Sequence, residues 1–258
     1  NEAIYQMPRI FPNVSSDNLI ISVSGLGARA GFSVLITDSV TCLDSIEKGQ
    51  CFPLYLYDDE PTPTDAQSDI FATGKPAART RRDAITDEGL KHFTDAYPGE
   101  TISKEDLFYY IYGLLHSPEY REQYADNLSK ELPRIPRVST AAAFWQFSHA
   151  GRSLAHLHLN YESITPYAGA KVTIKGADTN ATYRVTKMKF GKGKDKTTVI
   201  YNDFITIEGI PLAAYDYVVN GKPAIEWVMD RQVVKTDKDS GIVNDANDWA
   251  IDTMNNPK

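Results

Sequence analysis

The most concentrated chemistry in this chain is cationic. Lys187, Lys189, Lys192, Lys194 and Lys196 fall within the ten residues Lys187-Met-Lys-Phe-Gly-Lys-Gly-Lys-Asp-Lys196, against one acid, Asp195. In an extended segment side chains alternate, so Lys187 and Lys189 share one face while Met188 and Phe190 take the other. The glycines then make a mobile turn, giving a hairpin tip shaped to reach phosphates. A solvated turn whose lysines keep an edge strand from pairing is the alternative. A second cluster, Lys75, Arg79, Arg81 and Arg82, has no acid between Asp69 and Asp83. The arginine fork matches guanine O6 and N7, which makes these residues candidates for base readout, with a plain charged surface as the alternative. Trp145, His149, Arg152 and His156 form a helical stripe that could face nucleic acid but more commonly meets neighbouring elements.

Catalytic motifs are missing around these cations. A phosphate-cradling loop requires Gly-Lys followed by Ser or Thr, whereas the Gly-Lys pairs at Gly74, Gly191, Gly193 and Gly221 are followed by Pro, Gly, Asp and Pro. Gly25-Leu-Gly27-Ala-Arg-Ala-Gly31 follows a strand, but its spacing is one residue too long for a dinucleotide loop and no periodic helix succeeds it, so it reads as a turn. No Asp, Glu or Gln has a Lys two residues later, as a metal-dependent nuclease site would need. Neither Asn-Pro-Pro-Tyr nor Asp-Pro-Pro-Tyr, which grip a flipped adenine in amino-methyltransferases, occurs. His156 and His158 project on different sides of a helix, and His-Glu-x-x-His and Gly-x-Ser-x-Gly are absent, so neither zinc nor a serine nucleophile is indicated.

The elements that must position the cations follow from periodicity. Leu19 to Val23, Phe32 to Ile36 and Pro53 to Tyr57 read as strands, and Asp58 to Arg82 as a long surface loop rich in breakers. Helices are expected from about Thr86, after Ser103 with Asp106 as its near capping-box partner, and from Ser117-Pro118 until Pro133 and Pro136. The longest periodic run follows Ser139-Thr140, with Phe144, Phe147, Gly151, Leu154, His158 and Tyr161 on one face. Strands return at Lys171 to Ile174, Thr198 to Tyr201 and Phe204 to Ile207. Two short helices, near Leu212 to Val219 and Ala224 to Arg231, precede a polar tail. The class is a mixed α+β domain over residues 1–258, with β-rich 1–85, helical 86–161, and 162–258 β-rich then helical. No fixed-period repeat occurs.

Composition sets the outer limits. The 258 residues are 42% hydrophobic and 24% charged, enough for a real core. A net charge of −7 argues against a nonspecific DNA binder while permitting a local basic face. Cys42 and Cys51 read as reduced thiols of a cytoplasmic protein. No stretch approaches the roughly 18 apolar residues of a membrane span, and Asn1-Glu2-Ala3, without Met or a signal, reads as a cut within something longer.

Tyr109-Tyr110-Ile-Tyr-Gly-Leu-Leu-His-Ser-Pro-Glu-Tyr-Arg-Glu-Gln-Tyr-Ala-Asp-Asn-Leu128, running on to Leu132-Pro-Arg-Ile-Pro136, resembles the C-terminal specificity domain of the Type ISP restriction-modification enzymes, whose homologues are often labelled helicase-like. Phe144-Trp145 to Tyr161, Tyr201-Asn202 to Pro211, and Ala224 to Arg231 with Ser240 to Asp245 extend the match. The resemblance implies a parent with a nuclease, an ATP-driven translocase, a coupler and an adenine-N6 methyltransferase upstream. The parent would use S-adenosylmethionine, ATP and Mg²⁺, and this chain would carry neither cofactor nor catalytic residues. Methyltransferase and specificity domain would clamp double-stranded DNA, and this domain would read the site. The match is weak in residues 1 to about 106 and 162–182, so base readers are expected in those parts, including the Arg79–Arg82 loop, with phosphate contacts from the lysine hairpin. A docking or coupling module of a helicase-like protein, without base readout, is the alternative.

Overall fold

The computed structural model describes residues 7–42, 45–59 and 79–252. Contacts divide the chain into two compact units, residues 1–164 and 165–258.

In the first unit a short helix, α1 (Met7–Ile10), precedes β1 (Ile20–Val23), β2 (Val34–Thr37) and β3 (Gln50–Pro53), which form an antiparallel sheet in the order β2-β1-β3. All four residues of β1 are buried because it is central, and Val34 and Ile36 of β2 alternate inward. The expected loop from Asp58 to Arg82 is shorter than its composition suggests. Its ends pair as an antiparallel ladder of β4 (Tyr55–Asp59) and β5 (Arg79–Asp83), with Tyr57 opposite Arg81 and Leu56 opposite Arg82. Lys75 lies outside the described residues.

The helical middle follows its caps. Thr86 opens α2 (Asp87–Thr94), and Ser103 and Asp106 close a full capping box on α3 (Lys104–His116). Ser117 caps α4 (Pro118–Gln123), α5 (Ala125–Leu128) follows, and Thr140 caps α6 (Ala141–Leu159). Between α5 and α6, Pro133 and Pro136 deny the chain a helix. Three tyrosine hydroxyls hold the resulting extended segment by donating to its alternate carbonyls: Tyr120 to Arg134 at 2.8 Å, Tyr110 to Pro136 at 2.6 Å and Tyr97 to Val138 at 2.6 Å. Burial pushes the Tyr110 phenol up to about 12, so it is a permanent donor at neutral pH.

Helices α3 and α6 cross closely through two glycines. A Cβ at Gly151 would stand 1.9 Å from the Tyr109 carbonyl oxygen, and one at Gly113 would stand 2.3 Å from that of Phe147. The fully buried residues of α6 are therefore Phe144, Ser148, Gly151 and Ala155, which share Phe144 and Gly151 with the stripe expected from the sequence and take the small neighbours of Phe147 and Leu154 in their place. Small residues occupy the contact line, while Phe147 and Leu154 pack half-buried beside it. Tyr110 stacks on Phe144 at 4.8 Å in the centre of this core.

The second unit contains β6 (Lys171–Ile174), α7 (Asn180–Tyr183), β7 (Lys189–Phe190), β8 (Thr198–Ile200) and β9 (Ile205–Glu208), whose antiparallel sheet has the order β6-β9-β8-β7. Val185, Met188, Val199, Ile210, Tyr215 and Met229 form its core. The expected helix from Leu212 to Val219 is a single 3₁₀ turn at Leu212–Tyr215, followed by a hairpin of β10 (Val218–Val219) and β11 (Lys222–Pro223) whose turn places Asn220 and Gly221 at positive φ. Helix α8 (Ala224–Arg231) forms as expected. The expected polar tail is structured: β12 (Val234–Thr236) pairs with β13 (Val243–Asp245), and α9 (Ala246–Asp252) follows. Asn247 anchors that region, its amide oxygen accepting from the Val185 N–H and its amide nitrogen donating to the Val185 carbonyl, both at 2.8 Å. Helices and antiparallel sheets in separate stretches make the chain α+β.

Candidate nucleic-acid interface

The two cation clusters fall in different units and are held in opposite ways. In the first unit, Arg79, Arg81 and Arg82 lie on strand β5 rather than on a loop tip. Arg82 ion-pairs with Asp58 on the facing strand, and Arg9 from α1 reaches the same carboxylate. The hydrogen bond from Arg82, followed by that from Arg9, holds the Asp58 carboxyl below its ordinary range. Arg79 donates to the Pro8 carbonyl. Arg81 differs, because its guanidinium carbon sits 4.2 Å over the Tyr55 ring and its N–H groups meet no protein acceptor among the described residues. A guanidinium stacked on an aromatic face keeps its planar fork directed while leaving all its donors available. Of the three described arginines in the cluster, Arg81 alone keeps its guanidinium donors open, and its two neighbours brace the hairpin.

In the second unit Lys189, Lys192, Lys194 and Lys196 project from the β7–β8 hairpin, and Lys187 lies just before it, bridged through its backbone to Val233. The alternation expected from the sequence holds, since Lys187 and Lys189 are exposed, Met188 is buried and Phe190 packs against the core. Hydrogen bonds shape the turn. Gly191 N–H donates to the carbonyls of Asp195 and Thr198 at 3.1 and 3.0 Å, and the Asp195 carboxylate accepts from Thr197 N–H, Thr197 Oγ1 and Thr198 Oγ1. Gly193 and Lys194 take positive φ there, +72° and +65°. Lys196 is engaged within the unit, 2.8 Å from Glu226 and 4.9 Å from the Tyr215 ring centroid. Lys187, Lys189, Lys192 and Lys194 make no ion pair among the described residues.

The helical stripe of Trp145, His149, Arg152 and His156 is largely spent inside the first unit. Trp145 Nε1 donates to Glu100 at 2.8 Å, with His149 stacked on it. Arg152 bridges Glu105 at 2.6 Å and Asp106 at 3.1 Å over the Tyr109 ring. Among the described residues no group of three or more His, Cys, Asp or Glu could hold a metal, Cys51 is a free thiol, and no helix is long and apolar enough to cross a membrane.

Sequence reasoning missed a buried polar cluster on α3 and α6. His116 Nδ1 donates to the Tyr112 carbonyl at 2.9 Å, which fixes its tautomer, and the buried Nε2 meets no well-formed hydrogen bond among the described residues. His158 Nδ1 is 2.5 Å from the Tyr112 hydroxyl. Burial is the leading cause that pushes His116 down to about 4. From the sequence His158 is one position of the periodic face of α6 and His116 is not distinguished, and only the helix crossing brings their rings to 5.8 Å.

Among the described residues, the first unit leaves Arg81 without a protein acceptor and the second leaves four lysines in and beside one hairpin without an acid. The sequence matches the family described as the Type ISP C-terminal specificity domain over residues 1–258, and the chain belongs to that family. No curated protein matches it. It is similar to three solved structures. The ATP-dependent Type ISP restriction-modification enzyme LlaBIII bound to DNA is 38% identical, with a TM-score of 0.79 over 96% of this chain and 15% of that one. A nuclease-deletion mutant of the Type ISP enzyme LlaGI with a DNA substrate mimic is 38% identical, with a TM-score of 0.75 over 100% of this chain and 20% of that one. The DrdV–DNA complex is 36% identical, with a TM-score of 0.72 over 94% of this chain and 22% of that one. The chain thus spans about a fifth or less of LlaBIII and LlaGI, and 22% of DrdV.

Proposed function

We propose that this chain reads a short duplex DNA sequence as the specificity part of a single-polypeptide, ATP-dependent restriction-modification enzyme, gripping the duplex together with an adenine-N6 methyltransferase domain. The observation that carries this reading is that three relatives at 36–38% identity, matched over nearly the whole chain, are each described in complex with DNA or a DNA mimic. S-adenosylmethionine, ATP and Mg²⁺ belong, in this reading, to the rest of such a polypeptide, and this chain contributes no catalytic residue.

Within the chain the labour divides by side-chain chemistry. Arg81 offers a fork stacked on Tyr55 and unengaged by any acceptor among the described residues, which suits a base edge. Arg79 and Arg82 set the hairpin that carries it. Lys187, Lys189, Lys192 and Lys194 offer mobile point charges without acidic partners, which suits phosphates. Lys196, tied to Glu226, contributes less.

The test is selection of bound duplexes from a randomised pool by the full-length protein. Enrichment of one asymmetric site is expected. Binding without enrichment, or no binding, contradicts the reading and favours a docking module.

A further inference from the structure

Nine arginines lie between residues 7 and 164. Seven of them spend their guanidinium on a protein acceptor: Arg9 and Arg82 on Asp58, Arg79 on Pro8, Arg121 on the Leu115 carbonyl, Arg134 on Glu131, Arg137 on the His92 carbonyl, and Arg152 on Glu105 and Asp106. Arg81 and Arg29 are the exceptions among the described residues. Arg29 is exposed on the loop from Gly25 to Gly31, which joins β1 to β2.

That loop is held as a rigid support would be. The Glu47 carboxylate accepts from the backbone N–H groups of Arg29 and Ala30 at 2.7 and 3.0 Å, fixing the backbone of the arginine itself. Lys48 Nζ donates to the Gly27 carbonyl at 3.0 Å, Gly25 N–H to the Glu47 carbonyl at 3.1 Å, and Ser24 Oγ to the Gly31 carbonyl at 3.1 Å. Gly27 and Gly31 take φ of +71° and +81°, and a Cβ at Gly25 would collide with the Lys48 carbonyl at 1.9 Å. The Glu47 carboxylate is engaged first by these two amides and only then, through space, by the charges of Lys48 and Arg29, and the Arg29 guanidinium makes no ion pair among the described residues. Leu26, beside it at the same tip, is 55% exposed.

A surface loop with no ligand to position needs no such web, because loops tolerate disorder. An arginine meant to read a base does need it, because a bidentate fork discriminates only when its backbone is fixed. We infer that the Gly25–Gly31 loop is a second base-contacting element, in which Arg29 supplies the fork and Leu26 an apolar contact to a base. The inference rests on the DNA-reading assignment above. A protein partner is the competing occupant, and the unpaired arginine favours DNA.

The test uses full-length protein carrying Arg29→Ala, Arg29→Lys, Leu26→Ala, Glu47→Ala or, as a comparator, Arg81→Ala, with matched thermal melts, against the duplex pool and the preferred site. Arg29→Ala is expected to weaken binding to the preferred site about five- to hundredfold and to relax preference at base positions other than those affected by Arg81→Ala. Arg29→Lys should lose the same preference while keeping the salt dependence, since charge remains and the fork does not. Leu26→Ala is expected to lose about two- to fivefold at those or adjacent positions. Glu47→Ala should reproduce part of the Arg29→Ala loss without touching the tip. Unchanged affinity and preference in the Arg29 and Leu26 variants, with Arg81→Ala still altering preference, overturns the loop's role and leaves DNA reading standing. Intact DNA binding and preference with loss of restriction in cells makes the loop a protein contact and also overturns the inference. If wild-type protein selects no sequence, the assignment beneath it fails instead.

Discussion

The arginine hairpin of the first unit and the lysine hairpin of the second are similar antiparallel devices built to different ends. Residues 1–164 carry 14 Lys and Arg against 22 Asp and Glu, whereas residues 165–258 carry 13 against 12. Among the described residues of the acidic unit seven of nine arginines meet a carboxylate or carbonyl, and of the two left open Arg81 is stacked on Tyr55 while Arg29 is held through its backbone. In the balanced unit four lysines of one hairpin meet no acid and keep their freedom. The lesson is that net charge says little about a nucleic-acid surface. What matters is which cations the fold leaves unspent, and whether it directs them or merely displays them.

The comparison breaks most sharply if the frame behind the arginines is loosened. Gly151→Val places a branched side chain where even a Cβ stands 1.9 Å from the Tyr109 carbonyl. It should destabilise the first unit by at least about 3 kcal/mol, seen as a fall of many degrees in a thermal melt. A melt unchanged within a degree would show that α3 and α6 do not depend on that close approach.

Acid should act next, and on the first unit selectively. His116 is held neutral when folded, with its pKa pushed from 6.5 down to about 4. The unfolded chain binds the extra proton first, so the stabilisation is full above about pH 6.5 and is lost as pH falls from there towards about 4. Denaturant midpoints measured over that window should fall for the wild type, and the fall should be shallower in His116→Leu. Identical slopes would mean that the ring does not report on the folded core.

A smaller difference separates the braced arginine from the open one. Arg82→Ala removes a half-exposed ion pair with Asp58 and should move the thermal melt little. Its effect on sequence preference should be indirect and weaker than that of Arg81→Ala. Within the lysine hairpin the effect is smallest: Lys196→Ala, already paired with Glu226, should reduce the salt dependence of binding less than Lys192→Ala does.

Much of the frame was legible in the sequence because it is local. The caps Ser103, Ser117 and Thr140, the prolines after α5 and the apolar run of β1 each specify an element from a few adjacent residues. Strand β5 was not legible, since Arg-Thr-Arg-Arg-Asp has no apolar alternation and is extended only because β4 pairs with it. The hairpin of β12 and β13 was hidden for the same reason, and on α6 the stripe finds Phe144 and Gly151 but not Ser148 and Ala155, because small residues make that part of the contact. The lysine cluster was evident as a run. That Arg81 and not Arg82 is open could not be read, because it depends on Asp58 and Tyr55, more than 20 residues away in the chain.

The division between directing and displaying cations is tested most directly by salt-titrated binding of full-length wild type, Arg81→Ala and Lys192→Ala to the preferred site and to a scrambled duplex. Arg81→Ala should lose about five- to hundredfold on the preferred site and little on the scrambled one. Lys192→Ala should lose equally on both and reduce the slope of log affinity against log salt by about one. The same loss on both duplexes from both variants would contradict the account.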